Sequence, residues 1–442
     1  MLLEPQSTAL FILLMIVFCA LLAWVALAKQ PVFRVLAASL AFIPAMLFGV
    51  AAVNKYYDYY QTWGAVAADV GGQGVSSATQ ITGNVSGQHM KAILGKVAKN
   101  KLAAKQGETV RLTVTGRFSH LSRTVYVYLP PQYFQPGFRA YRFPAIELIS
   151  GFPGEPQDWI NVVGITQTYL TLLHDGVVKP AVLAMPDPNG GRRISLQCLN
   201  VVHGPQDATY LAVDVPISLA RSFRLRWPGP AWGVAGYSEG GYCAANLPLA
   251  YPHRYGYAAV LSGYFRPFND RIGNPPRMVR PFGHNVRLRQ KNTPVYQMRT
   301  LALSVHLPKF WLGVGSYDHS DVAAAEAFQQ LLLARQPNVP LTVERGGSHN
   351  MATWRALIPP LLEWMTPRLA QAAQQAPPSR HLGRPHRAEP TAPAGASARS
   401  RHTARTARAR QAVRAARIAR ATARTARLAH ATRDELRFSS PG

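Results

Sequence analysis

Cysteine is scarce in this chain: 442 residues hold three, Cys19, Cys198 and Cys243. So few exclude a disulfide-dense scaffold, and no Cys/His spacing matches a zinc module. Acidic residues are also few, 21 Asp+Glu against 48 Lys+Arg. The deficit is uneven. Residues 371–442 carry 15 Arg and no Lys against 3 acidic side chains, so a tail exaggerates the charge of a moderately basic body. Core-forming material is not lacking: a composition 48% hydrophobic and 10% aromatic excludes wholesale disorder.

Charge is absent altogether from two stretches. Ala9 to Ala28 is an apolar run of twenty residues. At about 1.5 Å rise per residue it crosses the roughly 30 Å hydrocarbon core of a bilayer. A short basic loop, Lys29 to Arg34, separates it from a second uncharged run, Val35 to Val53. Pro44 and Gly49 lie inside that run, and membrane helices tolerate both. Lys55, Tyr56, Tyr57, Asp58, Tyr59, Tyr60 and Trp63 then read as an interfacial aromatic belt. Residues 1–63 are therefore expected to form a two-helix transmembrane hairpin, with spans at about 9–28 and 35–53. Lys29 and Arg34 place its loop in the cytoplasm and both ends outside. A cleaved signal peptide fits less well, because no basic segment precedes Ala9 and a second span follows.

Residues 64–107 read as a linker, rich in Gly, Ser, Ala and Thr and then basic from Lys91 to Lys105. From Glu108 the pattern alternates. Val110, Leu112 and Val114, then Val125, Val127 and Leu129, predict two strands joined by a turn. Short apolar runs follow at 143–150, 181–185, 231–235, 258–261, 309–314 and 341–343. Helical patterns separate them at 161–175, 211–223, 321–335 and 351–365. Apolar strands alternating with helices predict an α/β domain over 108–370, a mainly parallel sheet with helices on both faces. Ligands bind at the carboxyl ends of such strands.

At one of those ends stands Gly236-Tyr237-Ser238-Glu239-Gly240, a G-x-S-x-G sequence between a strand and a helix. Flanking glycines allow the sharp turn that lifts a serine hydroxyl above the sheet. A serine needs a base, expected late in the chain, with an acid between the two in order. His349, in Gly346-Gly347-Ser348-His349-Asn350, occupies that slot after the last strand. The acid should follow the penultimate strand, where Gly315 to Asp321 offers Asp318 and Asp321. Asp318 is nearer the strand end and is the choice; Asp321 has the alternative role of capping the next helix. His319 beside Asp318 has no ligand set around it, so no metal is expected, nor any cofactor. The oxyanion donors are expected to be the backbone N–H groups of Glu239, which follows the serine, and of Phe152, because Pro153 has none.

These stretches resemble a known family. "VYVYLPPQY", "ISGFPGEPQDW", "WGVAGYSEGGYCAANLPLAYPHRYG", "FWLGVGSYD" and "GGSHNMATWRALIPPLLEWM" are similar to the putative-esterase family of α/β hydrolases. That family includes mycolyltransferases of the antigen 85 type and S-formylglutathione hydrolase. The resemblance covers about 108–366 and implies the α/β-hydrolase fold. It places the nucleophile on Ser238, the acid on Asp318, the base on His349 and the oxyanion donors on Phe152 and Glu239. Where the family usually has His before the oxyanion-loop glycine, Ser150 stands here. The layout of two spans before a hydrolase resembles membrane-anchored actinobacterial relatives.

Cys243 opens the helix after the serine and Cys198 follows the Asp187 loop. Both would lie outside the membrane, where oxidising conditions permit a disulfide between them. The tail, 371–442, reads as Pro/Ala/Arg low complexity with an Arg-striped segment near 404–429. It is either an electrostatic anchor to anionic wall polymer or lipid headgroups, or a solvated extension. Its external placement argues against nucleic acid. The reading is a membrane-anchored serine esterase acting on small-molecule or lipid or glycolipid esters. The alternatives are an acyltransferase passing the acyl group to a sugar hydroxyl, and a non-catalytic envelope scaffold. The lid and acyl pocket are expected from the basic segment 265–300, with Arg266, Arg271, Arg277, Arg280, Arg287 and Arg289.

Overall fold

A computed structural model of the chain describes residues 3–70, 78–81, 95, 101–192, 194–268 and 280–375. The expectations for the tail beyond Gln375, and for Arg271 and Arg277, lie outside the described residues.

Two long helices open the chain, α1 (Thr8–Leu27) and α2 (Pro31–Tyr57), packed against each other. Ser7 caps the first by accepting from the Leu10 N–H, and Pro31 starts the second, where a missing N–H costs nothing. Both are long and apolar enough to cross a membrane. The second helix is longer than the apolar run alone suggests. It takes in Arg34, Lys55 and Tyr57 and ends where Asp58 turns left-handed at φ 50°.

The described strands form one nine-stranded sheet in the order β1-β2-β3-β5-β4-β6-β7-β8-β9. They are β1 (Thr79–Ile81), β2 (Glu108–Thr115), β3 (Ser122–Leu129), β4 (Ala145–Ile149), β5 (Val182–Pro186), β6 (Gly229–Tyr237), β7 (Tyr255–Leu261), β8 (Lys309–Gly315) and β9 (Leu341–Glu344). Only β3 runs against its neighbours; every other pairing is parallel. Alternate residues serve opposite faces. Trp232 and Val234 of β6 join one core with the helices Val215–Ser222, Glu239–Ala250 and His319–Leu333. Ala235 and Tyr237 join the other with Ile165–His174 and Met351–Gln375.

Two expectations are corrected. The segment 64–107 is not wholly linker: it contains α3 (Trp63–Val70), the edge strand β1 and a short helix, Ala103–Gln106. The last helix passes both Met365 and the boundary at 370, because Leu369 and Ala373 beyond Pro367 remain fully buried. Among its described residues, the basic segment 265–300 contains two short helices. Asn285 caps a helix over Val286–Lys291 by accepting from Leu288, and Pro294 starts another over Pro294–Thr300.

Glu147 lies in the middle of β4 with no exposed surface, and Tyr255 donates to its Oε2 at 2.8 Å. Burial pushes its carboxyl up to about 8 against the Tyr255 bond. A carboxyl raised on folding favours the protonated state. Its cost therefore grows as pH rises from the unfolded value to the folded one, by at most about 1.4 kcal/mol per pH unit. Glu147→Gln keeps an acceptor for Tyr255 and removes the titration. Its denaturant stability relative to wild type is expected to improve steadily between about pH 5 and pH 8; a constant difference across that range would contradict a neutral Glu147.

Candidate active site

β6 ends at Tyr237 and the helix Glu239–Ala250 begins two residues later, so Ser238 alone makes the turn. It does so at φ 55° and ψ −119°. A side chain is held in so sparsely populated a region at a cost of about 1–3 kcal/mol. The glycines around it are required by closeness. A Cβ on Gly236 would lie 2.1 Å from the Gly240 carbonyl oxygen, and one on Gly240 would lie 2.0 Å from that of Ile149. The Ser238 N–H donates to the Leu261 carbonyl at 2.9 Å, tying the turn to β7.

His349 follows β9 in a loop stitched to the loop after β8. The Tyr317 N–H donates to the Gly347 carbonyl and the Gly346 N–H to Ser316 Oγ, both at 2.8 Å. His349 Nε2 stands 2.9 Å from Ser238 Oγ. On the other side of the ring, Nδ1 stands 2.9 Å from Asp318 Oδ2 and equally 2.9 Å from Asp321 Oδ2. The ring packs edge-on against Trp354 at 5.2 Å.

The capping expectation for Asp321 is corrected: Asp318 is the N-cap of His319–Leu333, accepting from the Asp321 N–H at 3.4 Å. Asp321 sits in the first turn and aims its carboxylate at the imidazole. One carboxylate thus caps the helix and meets the histidine, and the other meets the histidine from within the helix.

Burial opposes charge on all three groups, and the bonds between His349 and the two carboxylates oppose burial. Burial raises Asp318, but hydrogen bonds from Asp321 and His349 outweigh it and hold that carboxyl below the usual range. Burial raises Asp321, and the neighbouring Asp318 keeps it raised despite His349. Burial lowers His349, but Asp321 and then Asp318 lift it above its ordinary value. The three bring ligand-type atoms within 4.8 Å of one another, a grouping these hydrogen bonds already account for.

Glu239 follows the serine, and its buried carboxyl accepts from Ser195 Oγ. Burial pushes it up to about 7 against the bonds from Ser195 and the Gln197 N–H. Phe152 lies on the loop after β4, and a Cβ on the preceding Gly151 would be 3.0 Å from Ser238 Cβ. Cys198 and Cys243 are joined Sγ to Sγ, linking the loop after β5 to the helix behind Ser238.

Ser238 and His349 open onto a cleft of about 630 Å³ that also includes Phe152, Met351 and Trp354. Of the segment 265–300, expected to form the pocket, none of the described residues lines this cleft. Another part of its wall is the C-terminal end of α2 and the turn after it, Val50, Val53, Asn54, Tyr57, Tyr59 and Tyr60. Sequence reasoning assigned those residues to the membrane and its surface. The available signal was Asp58, a carboxylate just past the apolar run, which pairs with Arg355 in the last helix. A second, polar cleft of about 800 Å³ shares Phe152–Gly154 and is bordered by Arg111, Glu155, Gln157, Asp187, Asn189 and Arg192.

A family model described as "Putative esterase" matches residues 120–365. An uncharacterized protein of Corynebacterium glutamicum is 26% identical over 255 residues, 56% of this chain and 58% of that protein. The chain thus spans little more than half the length of that relative. Among solved structures, a ferulic acid esterase superposes with a TM-score of 0.50 at 16% identity, over 60% of this chain and 99% of that one. An S-formylglutathione hydrolase from Agrobacterium tumefaciens does so with a TM-score of 0.48 at 14% identity, over 60% and 96%. At 16% identity the first likeness speaks to the fold.

Proposed function

The chain belongs to the putative-esterase family and is a hydrolase of the α/β type, and from that premise we propose that it is a membrane-anchored serine esterase working through an acyl-enzyme on Ser238. The carrying observation is the unbroken relay from Ser238 Oγ to His349 Nε2 at 2.9 Å and from Nδ1 to a carboxylate at 2.9 Å. Ser238 Oγ attacks the ester carbonyl carbon while its proton passes to His349 Nε2. Asp318 and Asp321 hold the ring by Nδ1–H and stabilise the imidazolium. The N–H groups of Phe152 and Glu239 receive the charge that develops on the carbonyl oxygen. The tetrahedral centre collapses, the alcohol leaves with the proton from Nε2, and a water activated by the same nitrogen releases the acid and frees the serine. No cofactor enters these steps.

The two N-terminal helices are read as spans with residues 29–34 in the cytoplasm and the hydrolase domain outside. A second reading, acyl transfer to a sugar hydroxyl, is favoured by the polar cleft beside Phe152–Gly154, whose Arg, Asn, Asp and Gln side chains suit a hydroxylated acceptor. That cleft does not include Ser238, which keeps hydrolysis first.

Labelling the full-length protein with a fluorophosphonate probe and mapping the adduct by mass spectrometry tests the reading. The adduct is expected on Ser238. Ester hydrolysis without labelling, or an adduct on another residue, would refute it.

A further inference from the structure

We propose that the outer end of the second helix is a working wall of the active site, and that the substrate is a membrane-resident lipid ester whose acyl chain passes from the outer leaflet along α2 to Ser238. This rests on the reading of Ser238 as nucleophile and adds a substrate class and a route.

The cleft at Ser238 has two walls of different origin. The hydrolase domain gives Phe152, Met351 and Trp354, and the hairpin gives Val50, Val53 and Tyr57. Two of the polar side chains there, Asn54 and Tyr59, are already engaged. Asn54 donates to the Tyr60 carbonyl at 2.9 Å and accepts from the Tyr60 N–H at 2.8 Å, folding the turn. The Tyr59 hydroxyl bonds Asp158, and its ring packs on the domain core. The lining is mostly apolar, a slot of about 630 Å³ leading to a serine, which suits a hydrocarbon chain better than a small polar ester.

Its position along the helix names the source of that chain. α2 has 27 residues, about 40 Å of helix against a hydrocarbon core of about 30 Å. Val50 and Val53 fall in the last turns of the uncharged run, before Lys55 and the tyrosines. The cleft therefore begins at the depth of the lipid tails and ends beside Ser238 Oγ, above the headgroups. An acyl chain can move along it without crossing water, which spares the cost of exposing its methylenes.

The wall is also fastened. Arg355 pairs with the Asp58 carboxylate and donates to the Asp58 carbonyl at 3.0 Å and the Val162 carbonyl at 2.8 Å. Asn350, the residue after His349, reaches the Tyr56 carbonyl at 3.3 Å. An anchor alone needs only a tether; here the helix end is bound to the histidine loop and to the last helix.

The test uses full-length protein in phosphatidylcholine vesicles with two substrates, p-nitrophenyl palmitate and p-nitrophenyl acetate. Val53→Trp fills the slot and is expected to lower the palmitate-to-acetate ratio of kcat/KM at least tenfold. Leu36→Trp, near the other end of the helix, should leave that ratio alone. A second measurement needs no variant: palmitate ester in the enzyme's own vesicles should turn over at least tenfold faster than the same ester supplied in separate vesicles. A ratio unmoved by Val53→Trp in protein that still labels with fluorophosphonate would overturn the wall. Equal turnover from separate vesicles would overturn the route. Loss of labelling in wild type would instead remove the esterase reading beneath both.

Discussion

With Ser238 replaced by alanine, kcat for ester hydrolysis is expected to fall by about a millionfold, while the melting temperature is not lowered. The two outcomes have different causes. The hydroxyl oxygen at 2.9 Å from His349 Nε2 is the atom proposed to form the acyl bond, and alanine offers none. Alanine nevertheless keeps a Cβ at φ 55°, so the strained turn is unchanged. Ser238→Gly separates strain from chemistry. Release of about 1–3 kcal/mol of backbone strain outweighs the extra chain entropy of glycine, about 0.5–1 kcal/mol. The glycine variant should therefore be as inactive as alanine yet melt higher. Thermal melts of the three proteins beside initial rates on one ester check both points. An alanine variant within a hundredfold of wild type would mean that another residue attacks the substrate.

The parts of this site that could be read from the sequence are those whose cause is local. A five-residue turn between a strand and a helix needs glycines where backbone meets backbone, and Gly236 and Gly240 carry that requirement in their identity. His349 was found by its slot after the last strand, because order along a parallel sheet fixes which loops share an edge. The sheet itself followed from apolar runs of five to nine residues buried on both faces. Its three-residue edge strand, Thr79–Ile81, is too short to show a period. The cleft wall was hidden for a different reason. Val50 and Val53 satisfy a membrane pattern fully, and nothing in that pattern reports that Asp58 meets Arg355 nearly three hundred residues later. The acid, too, was legible only as a pair of candidates. Asp318 and Asp321 are three apart, a spacing that brings cap and first-turn side chains to one side of a helix, so both can reach the same imidazole.

A protein with both Asp318→Asn and Asp321→Asn is expected to lose about 10⁴ in kcat, whereas either single substitution should cost far less. Each carboxylate approaches Nδ1 to 2.9 Å, so the one that remains still orients the ring and faces the imidazolium. Asp318→Asn should do more harm than Asp321→Asn, because Asp318 is the member held below the usual carboxylate range, and hence the one that carries the charge. Asparagine also caps helices well, so the change at 318 should leave the fold intact. The pH profile identifies the cause. His349 must be neutral to accept the serine proton. In wild type the two carboxylates lift it above its ordinary 6.5 against burial, so the acid limb of kcat/KM should fall off above that value. Without either carboxylate only burial acts, and burial disfavours the imidazolium. The acid limb of the double variant should then move to lower pH even as its plateau collapses. A single variant as damaged as the double would assign the acid to one residue alone; an acid limb that stays in place would remove both carboxylates from the histidine's charge balance.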